Sequence, residues 1–143
     1  MSLARNRSMP AHGVLPVLNY RDVRAAVAWL CRAFGARERL RIGEHRAQML
    51  IGDGAFIVAA FHGTGIAHQD APRHSMLVRI DDVEAHMKHA AEFGARVLAR
   101  PTEFPYGERQ YTAEDAGGHV WTFSQTMADV DPAAWGGTLL TKD

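Results

Sequence analysis

Eight histidines and a single cysteine are the side chains of this chain best suited to ligate a metal or to act as acid, base or nucleophile. His86 and His89 lie three residues apart in a helical stretch, and this spacing would make a metal site only with a third ligand nearby. Cys31 falls in an apolar helical stripe, which favours a buried, inert thiol over a nucleophile. No histidine pair has the spacing of a zinc protease, so positions in loops or on helix faces are the simpler interpretation.

Composition argues against several classes of partner. Sixteen Lys and Arg residues balance sixteen Asp and Glu residues, so the formal net charge is zero with neutral histidines. Nucleic acid or an acidic membrane would require a surplus of basic residues on one face. No apolar run approaches the length of about eighteen residues that a membrane span needs. A single cysteine forms no intrachain disulfide, and because no secretory signal is evident we expect a cytoplasmic protein.

The elements that must position any site occur in two copies. Asp-Val at 22–23, followed by Phe-Gly-Ala-Arg at 34–37, returns as Asp-Val at 82–83 followed by Phe-Gly-Ala-Arg at 93–96. In each copy an apolar strand leads to an Asp suited to cap a helix, and the amphipathic helix ends near a glycine. Three further strands follow in each copy. Each copy is therefore predicted to form a βαβββ module.

We therefore predict one α+β domain at 12–126, made of module one (12–61), a connector (62–73) and module two (74–126). The tandem modules would form a curved eight-stranded mixed sheet around a cleft, with the helices outside. Residues 1–11 are expected to form a flexible segment, and 127–143 a loose tail whose large anchor, Trp135, would dock on a neighbouring surface or subunit. A cleft between two modules makes small-molecule binding the first hypothesis.

The closing strands of the second copy carry the most specific pattern, Tyr-Gly-Glu-Arg-Gln-Tyr at 106–111 and Asp-Ala-Gly-Gly-His-Val-Trp-Thr-Phe at 115–123. Together with the repeat, it resembles the vicinal oxygen chelate superfamily of glyoxalase I, bleomycin-resistance proteins and extradiol dioxygenases, and within it the metal-poor, PhnB-like branch. The resemblance covers 12–126 and implies the fold above and a homodimer. It implies no particular reaction, because members catalyse different reactions or bind without catalysis.

Metal-using members of this superfamily place ligands on the first and last strands of each half, usually His or Gln and then Glu. Counting from the repeated Asp and Gly residues puts Leu15, Val58, Ser75 and Thr122 at these positions. Leucine and valine cannot bind a cation, and one serine with one threonine replaces imidazole and carboxylate poorly. His74 would join the set only after a register shift that turns the strand's apolar side chains to the wrong face. The alignment therefore implies no metal, and we expect no other cofactor.

The same alignment implies which strand residues face the cleft, because side chains alternate between the two faces of a strand. Arg79 is the most informative, since an inward guanidinium needs an anionic ligand or an internal carboxylate such as Glu108 or Asp82; both interpretations stay open. Phe104 and Tyr106 would stack on a planar ligand or close the mouth of the cleft. The candidate ligand-binding residues are Leu15, Val17, Asn19, Val58, Ser75, Leu77, Arg79, Arg109, Tyr111, Thr122 and Ser124.

The favoured function is a metal-independent small-molecule-binding protein of the glyoxalase/bleomycin-resistance type. Its ligand would be apolar or aromatic, and Arg79 or Arg109 would hold any anionic group. The main alternative is a lyase, isomerase or dioxygenase of the same superfamily that uses a divalent metal or side-chain acid and base groups. A further alternative is an interaction module with a vestigial cleft.

Overall fold

A computed structural model of the chain describes residues 2–61, 74–116 and 119–141. The predicted connector 62–73 and the glycine pair at 117–118 lie outside the described residues. A short 3-10 helix occupies Pro132–Trp135. The other elements, in chain order, are β1 (Val14–Tyr20), α1 (Val23–Phe34), β2 (Arg37–Ile42), β3 (Arg46–Ile51), β4 (Gly54–Ala60), β5 (His74–Ile80), α2 (Val83–Glu92), β6 (Arg96–Phe104), β7 (Glu108–Glu114), β8 (Val120–Thr126) and β9 (Gly137–Leu139).

The two helices begin at the residues that the repeat predicts. The Asp22 side chain accepts a hydrogen bond of 2.9 Å from the Ala25 backbone N–H, and Asp82 accepts one of 3.0 Å from Ala85. Each carboxylate thereby satisfies a backbone donor that has no partner within its helix. Gly35 ends α1 with φ of 72°, a left-handed conformation that glycine adopts without steric cost. Neither described helix is long and apolar enough to cross a membrane.

All described strands join one mixed sheet in the order β6-β7-β8-β5-β1-β4-β3-β2-β9. Within each module the first and last strands are parallel, β1 with β4 and β5 with β8. The antiparallel pair β1–β5 joins the modules at the centre of the sheet. The α+β fold of two βαβββ modules is therefore confirmed. The sheet is not closed into a barrel, and β9 adds a ninth strand to the predicted eight.

Apolar residues are buried on both faces of the sheet. Under α1, Val27 packs in a cluster with Met49 and Val58, and under α2 Met87 packs in a cluster with Tyr111. A third cluster lies on the opposite face and consists of Met9, Leu15, Val17, Ile57, Ala59 and Leu77. This third cluster forms the floor of the cleft between the modules.

The N-terminal segment, expected to be flexible, is instead packed against the sheet. Asn6, Ser8 and Met9 are buried. The Asn6 side-chain amide donates to a Glu108 carboxylate oxygen at 2.9 Å, and the Ser8 hydroxyl donates to the Val130 carbonyl at 2.7 Å. Asn6 and Ser8 thus bond to residues more than a hundred positions away in the chain, and local sequence patterns do not reveal such partners.

The C-terminal tail, expected to be loose, is also ordered on the sheet. β9 pairs antiparallel with β2, so that Leu139 lies opposite Leu40. Trp135 docks on this same chain, where its indole N–H donates to the Ser8 hydroxyl at 2.7 Å. A strand of only three residues has too little alternation to be predicted.

Candidate ligand cleft

A cavity of about 870 Å³ lies on the sheet face away from the helices, between the two modules. Its floor consists of strand residues from both modules, including Val17, Ile57 and Leu77. The N-terminal segment closes it at Ser8 and Met9. The turn between β6 and β7 and the 3-10 helix supply the remaining wall through Phe104, Pro105, Tyr106 and Trp135. Both chain termini thus help to build the cleft.

Arg46 is the one arginine or lysine among the described residues that line the cavity, and it was not among the predicted ligand-binding residues. It begins β3, is half-buried, and lines the cavity beside the exposed His45. Burial lowers the pKa of the Arg46 guanidinium from its ordinary value, and Tyr106 opposes that shift. Among the residues that the structure describes, no hydrogen bond or ion pair to the Arg46 side chain is found. The polar–apolar alternation from Arg46 to Met49 is the sequence signal that indicates its inward direction.

Aromatic side chains form one wall of the cavity. The rings of Phe104 and Tyr106 are parallel within 9°, with centroids 5.4 Å apart, and Trp135 lies 5.2 Å from Tyr106. The Tyr106 hydroxyl donates to the Gln110 side-chain oxygen at 3.2 Å, and burial raises the pKa of Tyr106. These rings offer flat apolar faces that suit a planar ligand. Phe104 and Tyr106 both line the cavity, and stacking on a ligand and closure of its mouth both stay predictions.

The structure brings five of the predicted ligand-binding residues to the cavity surface. These are Val17, Asn19, Ser75, Leu77 and Thr122. Thr122 shares a hydroxyl–hydroxyl contact of 3.2 Å with Thr112, another lining residue. Their contact with a ligand stays a prediction.

Three more of the predicted residues lie on the cavity side but are covered. Leu15 is fully buried in the floor cluster, and the Ser124 hydroxyl donates to a Glu108 carboxylate oxygen at 2.6 Å. Arg79 donates to the Pro10 carbonyl at 2.7 Å and the Ala4 carbonyl at 2.9 Å. It also donates to the Thr126 hydroxyl at 2.8 Å.

Of the two interpretations of Arg79, the structure shows the internal one. The Thr126 hydroxyl that accepts from Arg79 donates in turn to Glu108 at 2.5 Å, so the buried cation and the buried carboxylate share one network. Burial lowers the pKa of Arg79, and Glu108 opposes that shift. Both Nη atoms of Arg79 are therefore hydrogen-bonded at the end of the cleft closed by the N-terminal segment, whereas its buried Nε has no hydrogen-bond partner among the described residues.

Val58, Arg109 and Tyr111 were expected in the cleft, and the structure places them on the helix side of the sheet. Val58 packs under α1, and Tyr111 is buried under α2. Arg109 forms an ion pair with Glu84 of α2. Arg109 and Tyr111 do share a face of β7, as predicted, but it is the opposite face.

The error at Val58 is one residue of register. Val17 pairs with Ile57, and Leu77, the equivalent of Val17 in the repeat, pairs with Thr122. Ile57 is therefore the counterpart of Thr122, and it lines the cavity. Counting four residues forward from Gly54, as from Gly118 in the second copy, gave Val58, whereas the strand register makes Ile57 the equivalent of Thr122. A shift of one residue reverses the face of a strand side chain.

The corrected register leaves the superfamily's metal positions without metal ligands. They are Leu15, Ile57, Ser75 and Thr122, and none of them carries the imidazole, carboxylate or thiolate that binds divalent transition metals. In residues 2–61, 74–116 and 119–141, no three His, Cys, Asp or Glu side chains cluster so as to hold a metal ion. The residues at these positions do not fit a divalent metal.

Comparisons with known proteins agree with this fold. The family model for the glyoxalase/bleomycin resistance protein/dioxygenase superfamily matches residues 12–123. Methylmalonyl-CoA epimerase from Mycobacterium tuberculosis is 17% identical, with a TM-score of 0.65 over 85% of this chain and 95% of that chain. A hypothetical protein from Bacillus halodurans C-125 is 10% identical, with a TM-score of 0.66 over 84% and 97%.

A superfamily member from Vibrio splendidus 12B01 is 10% identical, with a TM-score of 0.56 over 78% of this chain and 97% of that chain. None of the curated proteins matches the chain. At these identities the solved structures bear on the fold alone. With its two βαβββ modules and a family match that spans both of them, the chain belongs to the glyoxalase/bleomycin resistance protein/dioxygenase superfamily.

Proposed function

We propose that this chain is a metal-independent small-molecule-binding protein whose cleft holds an apolar or aromatic ligand. The observation that carries the proposal is the cavity of about 870 Å³ between the modules. Ligand sites in proteins commonly enclose about 300–1,000 Å³ and are lined mostly by apolar and aromatic side chains with a few polar groups. The floor residues Val17, Ile57 and Leu77 and the wall residues Tyr106 and Trp135 are of this kind.

Binding requires only complementarity of shape and polarity, and the cavity lining supplies both. The four positions that hold a metal in other members carry Leu15, Ile57, Ser75 and Thr122, which supports independence from a metal. Hydroxyl and amide groups of Thr112, Thr122 and Gln110 give the cavity a few polar contacts. The homodimer and the cytoplasmic location expected from the sequence stay predictions.

An enzyme of the same superfamily is the second candidate, and His45 is the observation that favours it. Among the described residues that line the cavity, His45 is the one imidazole, and imidazole is the side chain most often used as a general acid or base. It is exposed, next to Arg46 in the chain. A reaction on a bound ligand would therefore depend on His45, and His45→Gln would abolish it while leaving ligand binding intact.

Binding can be tested with N-phenyl-1-naphthylamine, a neutral aromatic dye that fluoresces in apolar sites. We expect saturable binding of one dye per chain. Ser75→Phe should weaken the affinity by about tenfold or more, because the ring occupies cavity volume. The matched control is Val58→Ala on the opposite face of the sheet. It should lower the free energy of unfolding by about 2 kcal/mol but leave the dye affinity unchanged.

Two results would overturn the proposal. If the dye does not bind saturably, or if Ser75→Phe binds it as tightly as the unmodified protein does, the cavity is not the ligand site. Metal independence is tested by treating the protein with a chelator and dialysing it. A loss of dye binding that one equivalent of a divalent cation restores would show that a metal supports the site.

A further inference from the structure

The cleft contains a cation that no described carboxylate balances. Arg46 lines the cavity, and no described carboxylate is paired with it. The described lining residues include no Asp or Glu. The other two arginines once expected to serve the cleft are engaged elsewhere, Arg79 under the N-terminal segment and Arg109 with Glu84. A guanidinium in a partly buried site is stabilised when a negative charge faces it.

We propose that the ligand of this cleft carries a single carboxylate, which the Arg46 guanidinium binds. The proposal rests on the proposed function and names the chemical class of the ligand. Across the strands, Arg46 lies opposite Ala59, and Ala59 lies opposite Asn19. Neighbouring strands are about 4.8 Å apart, and all three residues line the cavity. A carboxylate bound at this point would lie against the Arg46 guanidinium.

The charge of the lining favours a monoanion over a dianion. Arg46 is the one lining side chain, among those described, that is always protonated near neutral pH. A carboxylate would balance it one to one, and the planar guanidinium suits the two oxygens of a carboxylate. A phosphate monoester carries a charge of about −1.5 to −2 at pH 7, so part of that charge would be buried without a partner. We therefore choose the carboxylate over the phosphate.

The position of Arg46 relative to the aromatic wall indicates which part of the ligand carries the carboxylate. Arg46 and Tyr106 line the same cavity, and Tyr106 contacts Phe104 and Trp135. A ligand that stacks on this wall would therefore place its ring system in the cavity that holds the guanidinium. The structure thus favours a carboxylate attached directly to, or within a short linker of, an aromatic ring.

The test uses two probes of nearly identical shape, 2-naphthoate and 2-naphthamide, which compete with N-phenyl-1-naphthylamine for the cleft. The unmodified protein should bind the carboxylate about ten- to a hundredfold more tightly than the amide, because a charge-assisted hydrogen bond replaces a neutral one. Arg46→Gln should remove this preference and leave the affinity for the amide within about twofold. Arg109→Gln, which removes the same charge from the opposite face of the sheet, should retain the preference.

Each outcome separates this proposal from the proposed function. If the dye binds but the two naphthalene probes compete equally, or neither competes, the carboxylate anchor is wrong and the binding function stands. If Arg46→Gln keeps the preference, another group recognises the anion. If 2-naphthyl phosphate binds more tightly than 2-naphthoate, the monoanion argument fails. Failure of the dye itself to bind would overturn the proposed function.

Discussion

At the scale of single residues, His86 is a titratable group enclosed between α2 and the sheet. Its Nδ1 is hydrogen-bonded to the Tyr111 hydroxyl, and its ring centroid lies 4.1 Å from that of Phe123. Burial, and to a lesser degree the charge of His89, lowers the pKa of His86 from its ordinary 6.5. The folded protein therefore holds His86 neutral at pH values where the unfolded chain protonates it.

The free energy of unfolding should consequently depend on pH through His86. The contribution of His86 to the free energy of unfolding is complete above the unfolded-state pKa of 6.5. It is lost as pH falls from 6.5 to the lower folded-state pKa, because in that range only the unfolded chain takes up the proton. Urea unfolding at about pH 7.5 and at about pH 5.5 measures how much the free energy of unfolding differs between the two pH values. His86→Gln should reduce this difference, whereas His74→Gln on the exposed start of β5 should not. If the free energy of unfolding differs between the two pH values by as much in His86→Gln as in the unmodified protein, other groups cause the pH dependence.

At the scale of elements, the N-terminal segment is held to the sheet through the buried carboxylate of Glu108. Glu108 accepts hydrogen bonds from the side chains of Asn6, Ser124 and Thr126. Asn6 also accepts from the Val130 backbone at 3.1 Å, so one amide joins the first residues, β7 and the tail. Because the segment closes one end of the cleft, these bonds support the site as well as the fold.

Asn6→Asp should destabilise this junction strongly, because it places a second carboxylate 2.9 Å from that of Glu108. We expect a loss of about 3 kcal/mol or more in the free energy of unfolding at about pH 7.5. The loss relative to the unmodified protein should shrink as pH falls, since one shared proton removes the like-charge repulsion. Asn6→Ala is the control; it should cost about 1–2 kcal/mol with no such pH dependence. Equal losses for the two variants at every pH would contradict the predicted repulsion.

At the scale of the whole molecule, a continuous sheet couples two helix-covered cores. One lies under α1 around Val27, and the other lies under α2 around Met87. The antiparallel pairing of β1 with β5 joins them, and the buried N-terminal segment contacts both modules through Gln48 of β3 and Glu108 of β7. Neither module can unfold without exposing the edge strand of the other.

We therefore expect the chain to unfold in one cooperative transition. Val27→Ala and Met87→Ala should each lower the free energy of unfolding by about 2–4 kcal/mol, and each should shift the whole transition. Circular dichroism and tryptophan fluorescence should report the same midpoint in both variants. A transition that splits in two in either variant would show that the modules unfold independently.

Much of the fold was accessible from the sequence because its signals are local. The repeated Asp-Val and Phe-Gly-Ala-Arg segments, the helix stripes and the strand alternation all lie within short stretches of chain. The candidate site was accessible only in part, through cleft residues such as Ser75 and Thr122. Val58 was misplaced because the period of two in a strand turns a one-residue error into the wrong face.

By itself, the sequence determined the duplicated βαβββ architecture and the helix starts at Asp22 and Asp82. Only the tertiary structure decided which arginine lines the cavity. Arg79 and Arg46 both project from cavity-side strand positions, but the N-terminal segment covers Arg79 and leaves Arg46 in the cavity. That difference depends on contacts between residues far apart in the chain, and no local pattern encodes them.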